Sequence, residues 1–193
     1  MPALRIEGYV IVSADGMLAN ADHVMPDELK FEGDKAFFSA ALDRADLVVH
    51  GRNSYEDQPN SPNRKRIILT RKVAAVAPDP TNPNAVLWNP QGAAPFTAAC
   101  TEVGVHTGTV AIIGGPGVFD MFMDRYDTFW LSHAPKVRLP GGEPCFGGVP
   151  ARSPQQVLAA HGLKPAETII LDAAFDVSVT AWRRDDAASA VRR

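Results

Sequence analysis

From Leu4 to Val12 the chain reads LRIEGYVIV, alternating at first and then apolar on successive positions. That pattern predicts a strand that becomes central in a sheet. Short apolar runs recur downstream at Leu47–His50, Arg66–Thr70 (RIILT), Ala85–Trp88, Thr109–Ile113 (TVAII) and Thr128–His133, all of strand length. Helical spacing falls between them. Phe37, Phe38, Ala41 and Leu42 predict a helix over Asp34–Leu42, with Gly33 just before it and Asp34 a candidate cap. Phe96–Val103 and Val118–Met123 read as shorter helices. Near the end, Phe175, Val177, Val179 and Ala181 alternate with Asp176, Ser178 and Thr180. Thr168–Leu171 and Phe175–Trp182 therefore predict a closing hairpin. Ser13–Pro26, with its Asp15-Gly16 turn, and the proline-rich stretches Gln58–Lys65, Pro78–Pro95 and Pro140–Pro150 read as loops. Strands alternate with helices and then dominate. The expectation is an α/β fold with a mostly parallel mixed sheet, flanking helices and an antiparallel C-terminal hairpin. One domain should span residues 1–183, and the charged, alanine-rich residues 184–193 read as a flexible tail.

Composition narrows the function classes. The chain has 193 residues, of which 46% are apolar and 21% charged, with a formal charge of −3. Such a charge gives no bulk attraction to nucleic acid or to an anionic membrane, so any positive field is local. No apolar run approaches the roughly 18 residues of a membrane span. The N-terminus lacks the ordered segments of a signal peptide, so a cytoplasmic location is expected. Cys100 and Cys145 have no CxxC partner, and the five histidines form neither HExxH nor a zinc-deaminase pattern. No metal is expected. A GxSxG nucleophile elbow is missing as well.

Three strand ends carry unusual residues. VVHGRNSYE leaves a buried strand through Gly51, Arg52, Asn53 and Ser54. Backbone N–H groups, a guanidinium, an amide and a hydroxyl together suit a phosphate, although a capped turn with a solvated Arg reads equally well. RIILTRK ends in Thr70, Arg71 and Lys72, which fits a second anionic group or a charged strand end meeting water. AIIGGPG places Gly114, Gly115 and Gly117 after another buried strand, where the backbone can approach a diphosphate or simply turn tightly. It is neither the GxGxxG fingerprint nor a Walker loop. Asp34 and Phe38 are four residues apart on one helix face. An acid beside an aromatic ring can hold a planar, nitrogen-rich heterocycle, and Asp34 can equally serve only as a cap.

SADGMLA, DKAFF, ADLVVHGRNSYE, RIILTRK and AIIGGPGVF stand in the order found in dihydrofolate reductase-like proteins. The chain resembles that family from about Ile6 to Trp182. HAPKVRLPGGEPCF (His133–Phe146) is similar to the branch that holds the riboflavin-biosynthesis reductase, the C-terminal half of the bifunctional deaminase–reductase. The resemblance implies NADPH as cofactor. Gly51, Arg52, Asn53 and Ser54 would meet its phosphates, and Thr70 and Arg71 its adenosine 2′-phosphate. Gly114, Gly115, Pro116, Gly117, Val118 and Phe119 would cradle the diphosphate, with a cis peptide between Gly114 and Gly115. Asp34 would be the catalytic acid. It would also bind the substrate, together with Phe38, Asp15 and Met17. Met17 stands where the riboflavin branch carries a lysine that meets a ribose phosphate. Met25-Pro26-Asp27 stands where folate reductases carry a tryptophan after the proline. The implied reaction is hydride transfer to a C=N bond of a pyrimidine- or pterin-like substrate. Reduction of 5-amino-6-(5-phosphoribosylamino)uracil ranks ahead of dihydrofolate reduction, and a non-catalytic NADPH-binding protein is the alternative from another class. Relatives in this branch are often homodimers, and the apolar hairpin is the candidate interface.

Overall fold

A computed structural model describes residues 3–185. Its elements in chain order are β1 (Leu4–Ser13), β2 (Met17–Ala19), α1 (Glu32–Arg44), β3 (Leu47–Gly51), β4 (Arg66–Leu69), β5 (Val76–Pro78) and β6 (Ala85–Trp88). There follow α2 (Phe96–Glu102), β7 (Gly108–Ile112), α3 (Pro116–Met121), β8 (Thr128–Ala134), β9 (Glu143–Pro144), α4 (Pro154–Ala160), β10 (Leu163–Asp172) and β11 (Val177–Arg184). Nine strands form one sheet in the order β10-β11-β8-β1-β7-β3-β4-β6-β5, and β2 pairs with β9 beside it. The five pairings among β8, β1, β7, β3, β4 and β6 are parallel. The closing hairpin β10–β11 is antiparallel, as are β11–β8 and β5–β6. This is the α/β architecture, with a mostly parallel sheet and antiparallel C-terminal hairpin, that the hydrophobic pattern predicts.

The parallel strands are buried because both faces are covered. On one side Val12, Leu47, Val49, Ile67, Val110 and Ile112 join Phe96, Phe119, Phe122, Phe129 and Phe146 in the main core. On the other side Tyr9, Val48 and Ala111 pack under α1 through Ala41 and Leu42, with Phe37, Phe38 and Trp130 at the margin. Cys100 and Cys145 are free thiols inside the main core.

Three local differences from the sequence reading have identifiable causes. Helix α1 begins at Glu32, with extended Phe31 in the capping position and no side-chain cap. Asp34 is therefore a first-turn residue and not the cap. Gly33 permits the early start, because a Cβ there would lie 2.0 Å from the carbonyl oxygen of Leu171 in β10. Helix α4 escapes the apolar-period search because it is short, yet Ser153 and Gln156 form a full capping box, the S-x-x-Q signature. Strand β11 continues through Arg183 to Arg184, whose buried guanidinium donates to the carbonyls of Met123, Tyr126 and His161. The remainder of the expected tail, 186–193, lies outside the described residues.

Candidate active site

The sheet opens at its centre. Strand β1 pairs with β7 only as far as Gly8 opposite Ile112, while its pairing with β8 runs on to Ser13. Beyond that point β1 continues along β8, whereas β7 ends and the Ile113 N–H turns to the Val49 carbonyl of β3. Chain order also reverses here: β1 leads to β3 on one flank, whereas β7 leads to β8 on the other. A topological switch at the carboxyl ends of parallel strands is where open α/β sheets bind ligands. A cleft of about 590 Å³ occupies the place, with Tyr9, Val10 and Ile11 of β1 facing Ile113 and Gly114 beyond β7.

One end of the cleft is an aromatic box around an acid. Asp34, Phe37 and Phe38 reach it from α1, and Trp130 and Ser132 from β8. Tyr9 stands 6.4 Å from Phe37 and 6.2 Å from Phe38, and Phe37 meets Trp130 edge-on at 5.4 Å. Glu7 fixes two of these rings, since its carboxylate accepts from the Tyr9 hydroxyl at 2.6 Å and from the Trp130 indole N–H at 3.1 Å. Burial pushes the Asp34 carboxyl up from its ordinary range, and the Ser132 hydroxyl, which donates to it, offsets this only in part. A carboxyl in that state can accept from an amidine-like edge and can also deliver a proton.

Backbone turns line the other end. The Gly51 N–H donates to the Gly114 carbonyl at 2.8 Å, joining the turn after β3 to the turn after β7. The Gly114–Gly115 peptide is cis. Asn53, Ser54, Gly114, Pro116 and Phe119 line the cleft. Gly51, Gly115 and Val118 stand behind them, Val118 packed in the core. Arg52 and Gly117 are exposed beside the turns. Thr70 and Arg71 follow β4, in register with the end of β3. Arg71 is exposed, and Thr70 is buried with its Oγ1 accepting from the Lys72 N–H at 3.2 Å.

Two residues expected on the substrate side lie off the cleft. The Asp15 carboxylate accepts from the Ser13 hydroxyl at 2.6 Å and the Leu139 N–H at 3.0 Å. Burial pushes this carboxyl up, but those hydrogen bonds outweigh it and hold it below the usual range. The Met17 side chain is buried in the main core while its backbone pairs with Pro144. Their loop acts at the mouth through its neighbours: Leu18, Ala19, His23, Met25 and Glu143 line the cleft there. The His23 ring lies 3.2 Å from the Glu143 carboxylate.

Sequence reasoning missed the polar frame behind the β3 turn. Arg66 is fully buried and grips Glu56 through two parallel bonds of 2.9 and 2.8 Å. It also donates to the Ser61 carbonyl and hydroxyl, both at 3.0 Å. Its guanidinium stacks 4.4 Å from the Tyr55 ring centre. Arg64 joins Glu56 to Asp43. The buried His50 ring lies 3.0 Å from an Arg66 nitrogen through Nε2 and 2.7 Å from the Gly51 carbonyl through Nδ1. Since Arg66 can only donate, His50 accepts at Nε2 and donates from Nδ1, which makes it neutral. Burial is the main cause that lowers its pKa. Arg66 opening the otherwise apolar strand RIIL was the available signal, because a buried guanidinium requires an acid nearby.

The comparisons with known proteins agree with this architecture. No protein-family model matches the chain. The uncharacterized protein YwjB of Bacillus subtilis (strain 168) is 32% identical over 146 residues, covering 72% of this chain and 80% of that protein. Among solved structures, a protein assigned to riboflavin biosynthesis from Shewanella sp. PV-4 superposes with a TM-score of 0.64 at 18% identity, covering 94% of this chain and 99% of that one. Dihydrofolate reductase from Enterococcus faecalis, solved with NADP(H) and RAB-propyl, gives 0.63 at 14% identity, over 94% and 97%. A Thermotoga maritima deaminase/reductase that includes 5-amino-6-(5-phosphoribosylamino)uracil reductase gives 0.64 at 16% identity, over 94% of this chain and 57% of that one. At these identities the superpositions carry the fold alone.

Proposed function

We propose that this chain, a relative of YwjB with the dihydrofolate reductase-like fold, is an NADPH-dependent reductase that delivers hydride to a C=N bond of a planar pyrimidine- or pterin-like substrate. The observation that carries this reading is the division of one cleft between two kinds of wall. Asp34 and its aromatic neighbours suit a flat, nitrogen-rich ring. The joined turns at Asn53, Ser54 and Gly114 suit the phosphates of a dinucleotide. A ring bound at Asp34 would then meet the nicotinamide inside the sheet opening.

NADPH would be held by Gly51–Ser54 and by Gly114–Phe119, with Thr70 and Arg71 toward its 2′-phosphate. Bound there, it supplies the hydride. The protein's own part is largely positional, and holding donor and acceptor in contact can contribute roughly 7–11 kcal/mol. Asp34 would orient the ring and deliver a proton to the nitrogen, directly or through water. Asp15 and Met17 would shape the mouth through the backbone of their loop. Reduction of 5-amino-6-(5-phosphoribosylamino)uracil and of dihydrofolate both fall within this class. On this reading the partners are small molecules, and a second copy would dock on the hairpin, where Ile169, Ile170 and Phe175 are exposed.

Calorimetry of the purified protein with NADPH and with NADH tests the cofactor assignment. NADPH should bind at least ten-fold more tightly, and Arg71→Ala should weaken NADPH far more than NADH. Equal weakening would remove Arg71 from the 2′-phosphate. If neither nucleotide binds, the protein is not this reductase.

A further inference from the structure

We propose that the substrate of this cleft is a heterocycle whose substituent carries no phosphate or carboxylate, and that Glu143 at the mouth enforces the choice. The inference rests on the reading that the cleft takes a planar nitrogen heterocycle beside Asp34. It narrows that class and excludes both a phosphoribosyl substituent and an anionic tail.

The charged groups on the cleft wall are Asp34, Glu56, Glu143 and His23, and among the described residues no Lys or Arg lines it. Glu56 is already compensated by Arg64 and Arg66. Glu143 at the mouth has His23 beside it, and the His23 ring is mostly in water. The apolar Leu18, Ala19 and Met25 and the acid Glu143 line the same cleft as Asp34, so a substituent on a ring held at Asp34 shares its space with Glu143.

Two of the cations on the flanking segments are held by acids outside the cleft lining. Lys30 bonds Asp27 at 2.8 Å. Lys136 bonds Asp176 at 2.8 Å and the Ala174 carbonyl at 3.0 Å. Met17, at the position where a phosphate-binding lysine is implied, is buried and apolar. An anion beside Glu143 would lie against a carboxylate, with no lysine or arginine among the described residues of the cleft lining to offset it. An amino, hydroxyl or cationic substituent would instead find in Glu143 an acceptor.

Two matched ligand pairs test this on the NADPH-loaded protein near pH 7: pterin with pterin-6-carboxylate, and a 6-ribitylaminouracil with its terminal phosphate ester. Binding is read by calorimetry. Each uncharged member should bind at least about ten-fold more tightly than its anionic counterpart. Glu143→Lys should cancel or reverse that ratio. The isosteric Glu143→Gln, which keeps the backbone pairing of the β9 residue, should reduce it at least three-fold. An anionic member that binds wild type as well as its neutral counterpart overturns the inference alone. So does a ratio that neither variant changes. If no heterocycle binds, the reading of the cleft falls and the inference with it.

Discussion

The Gly51 N–H and the Gly114 carbonyl meet at 2.8 Å, so two turns more than sixty residues apart in sequence form one continuous wall. The bond ties the turn after β3 to the turn after β7 on the side of the cleft proposed for the dinucleotide. It also makes the conformation of each turn depend on the other.

Gly114 has φ +116°, and a Cβ there would touch the Phe119 ring at 3.4 Å and lie 3.5 Å from the Ser54 hydroxyl. The backbone conformation is the larger obstacle, since side chains rarely adopt it. Gly114→Ala should destabilise the protein by about 1–3 kcal/mol. It should weaken NADPH binding at least ten-fold, because both turns shift. Calorimetry together with urea unfolding separates the two effects. Unchanged NADPH affinity in a folded variant would dissociate this wall from the cofactor.

Glu56 is the common acceptor of two buried arginines. Burial pushes its carboxyl up, yet the hydrogen bonds from Arg66 and Arg64 outweigh this and bring it below the ordinary value. Its contribution is therefore present at neutral pH and is lost as pH falls through the depressed folded value. Glu56→Gln should cost about 3–5 kcal/mol at pH 7, because Arg66 would keep its burial and lose its counter-ion. The difference from wild type should shrink in acid. A cost that does not depend on pH would mean that shape, and not charge, holds the frame together.

Asp34 has the opposite sign. Its carboxyl is raised in the fold, so the protonated form is favoured there, and the associated stability fades as pH rises through the raised value. Asp34→Asn should melt above wild type at pH 7, with the gap closing toward pH about 4, near the ordinary carboxyl value. The same variant should lose at least about a hundred-fold in turnover while keeping NADPH affinity. Wild-type activity should decline on the alkaline side as Asp34 ionises. A pH–rate profile of kcat/KM with no such limb would remove Asp34 as proton donor.

Gly33 precedes Asp34 and sits against the Leu171 carbonyl, where a Cβ would find backbone oxygen at 2.0 Å. Backbone cannot rotate aside as a flexible side chain can. Gly33→Ala should cost roughly 1–3 kcal/mol and raise KM by displacing the first turn of α1 from the cleft. If stability falls while KM is unaltered, the helix start supports the fold without setting the acid's position.

Much of the fold was legible in the chain because its strands are buried on both faces, and such strands read as short apolar runs whatever their neighbours. The central strands were found this way, and the closing hairpin by its alternation of apolar and polar positions. The glycine turns were legible for a related reason, since a buried run that stops at Gly-Arg-Asn-Ser or Gly-Gly-Pro-Gly has few structural uses. Helix α4 and strand β5 were not, being too short to establish a period, and the start of α1 depended on a contact with β10 that no local pattern contains.

The site divides along the same line. The sequence by itself determined the chemistry available: an acid with an aromatic one turn away and three polar strand ends. Only the tertiary structure decided which of these share a cleft. The parting of β1 from β7 after Gly8 lets Asp34 and Gly114 line one cleft, and strand pairing over long sequence separations is invisible to local pattern. The paired burial of Arg66 and Glu56 also belongs to the tertiary structure, as does the placing of Glu143 beside His23 at the mouth. A charge's surroundings are set by the residues packed around it, and those come from every part of the chain.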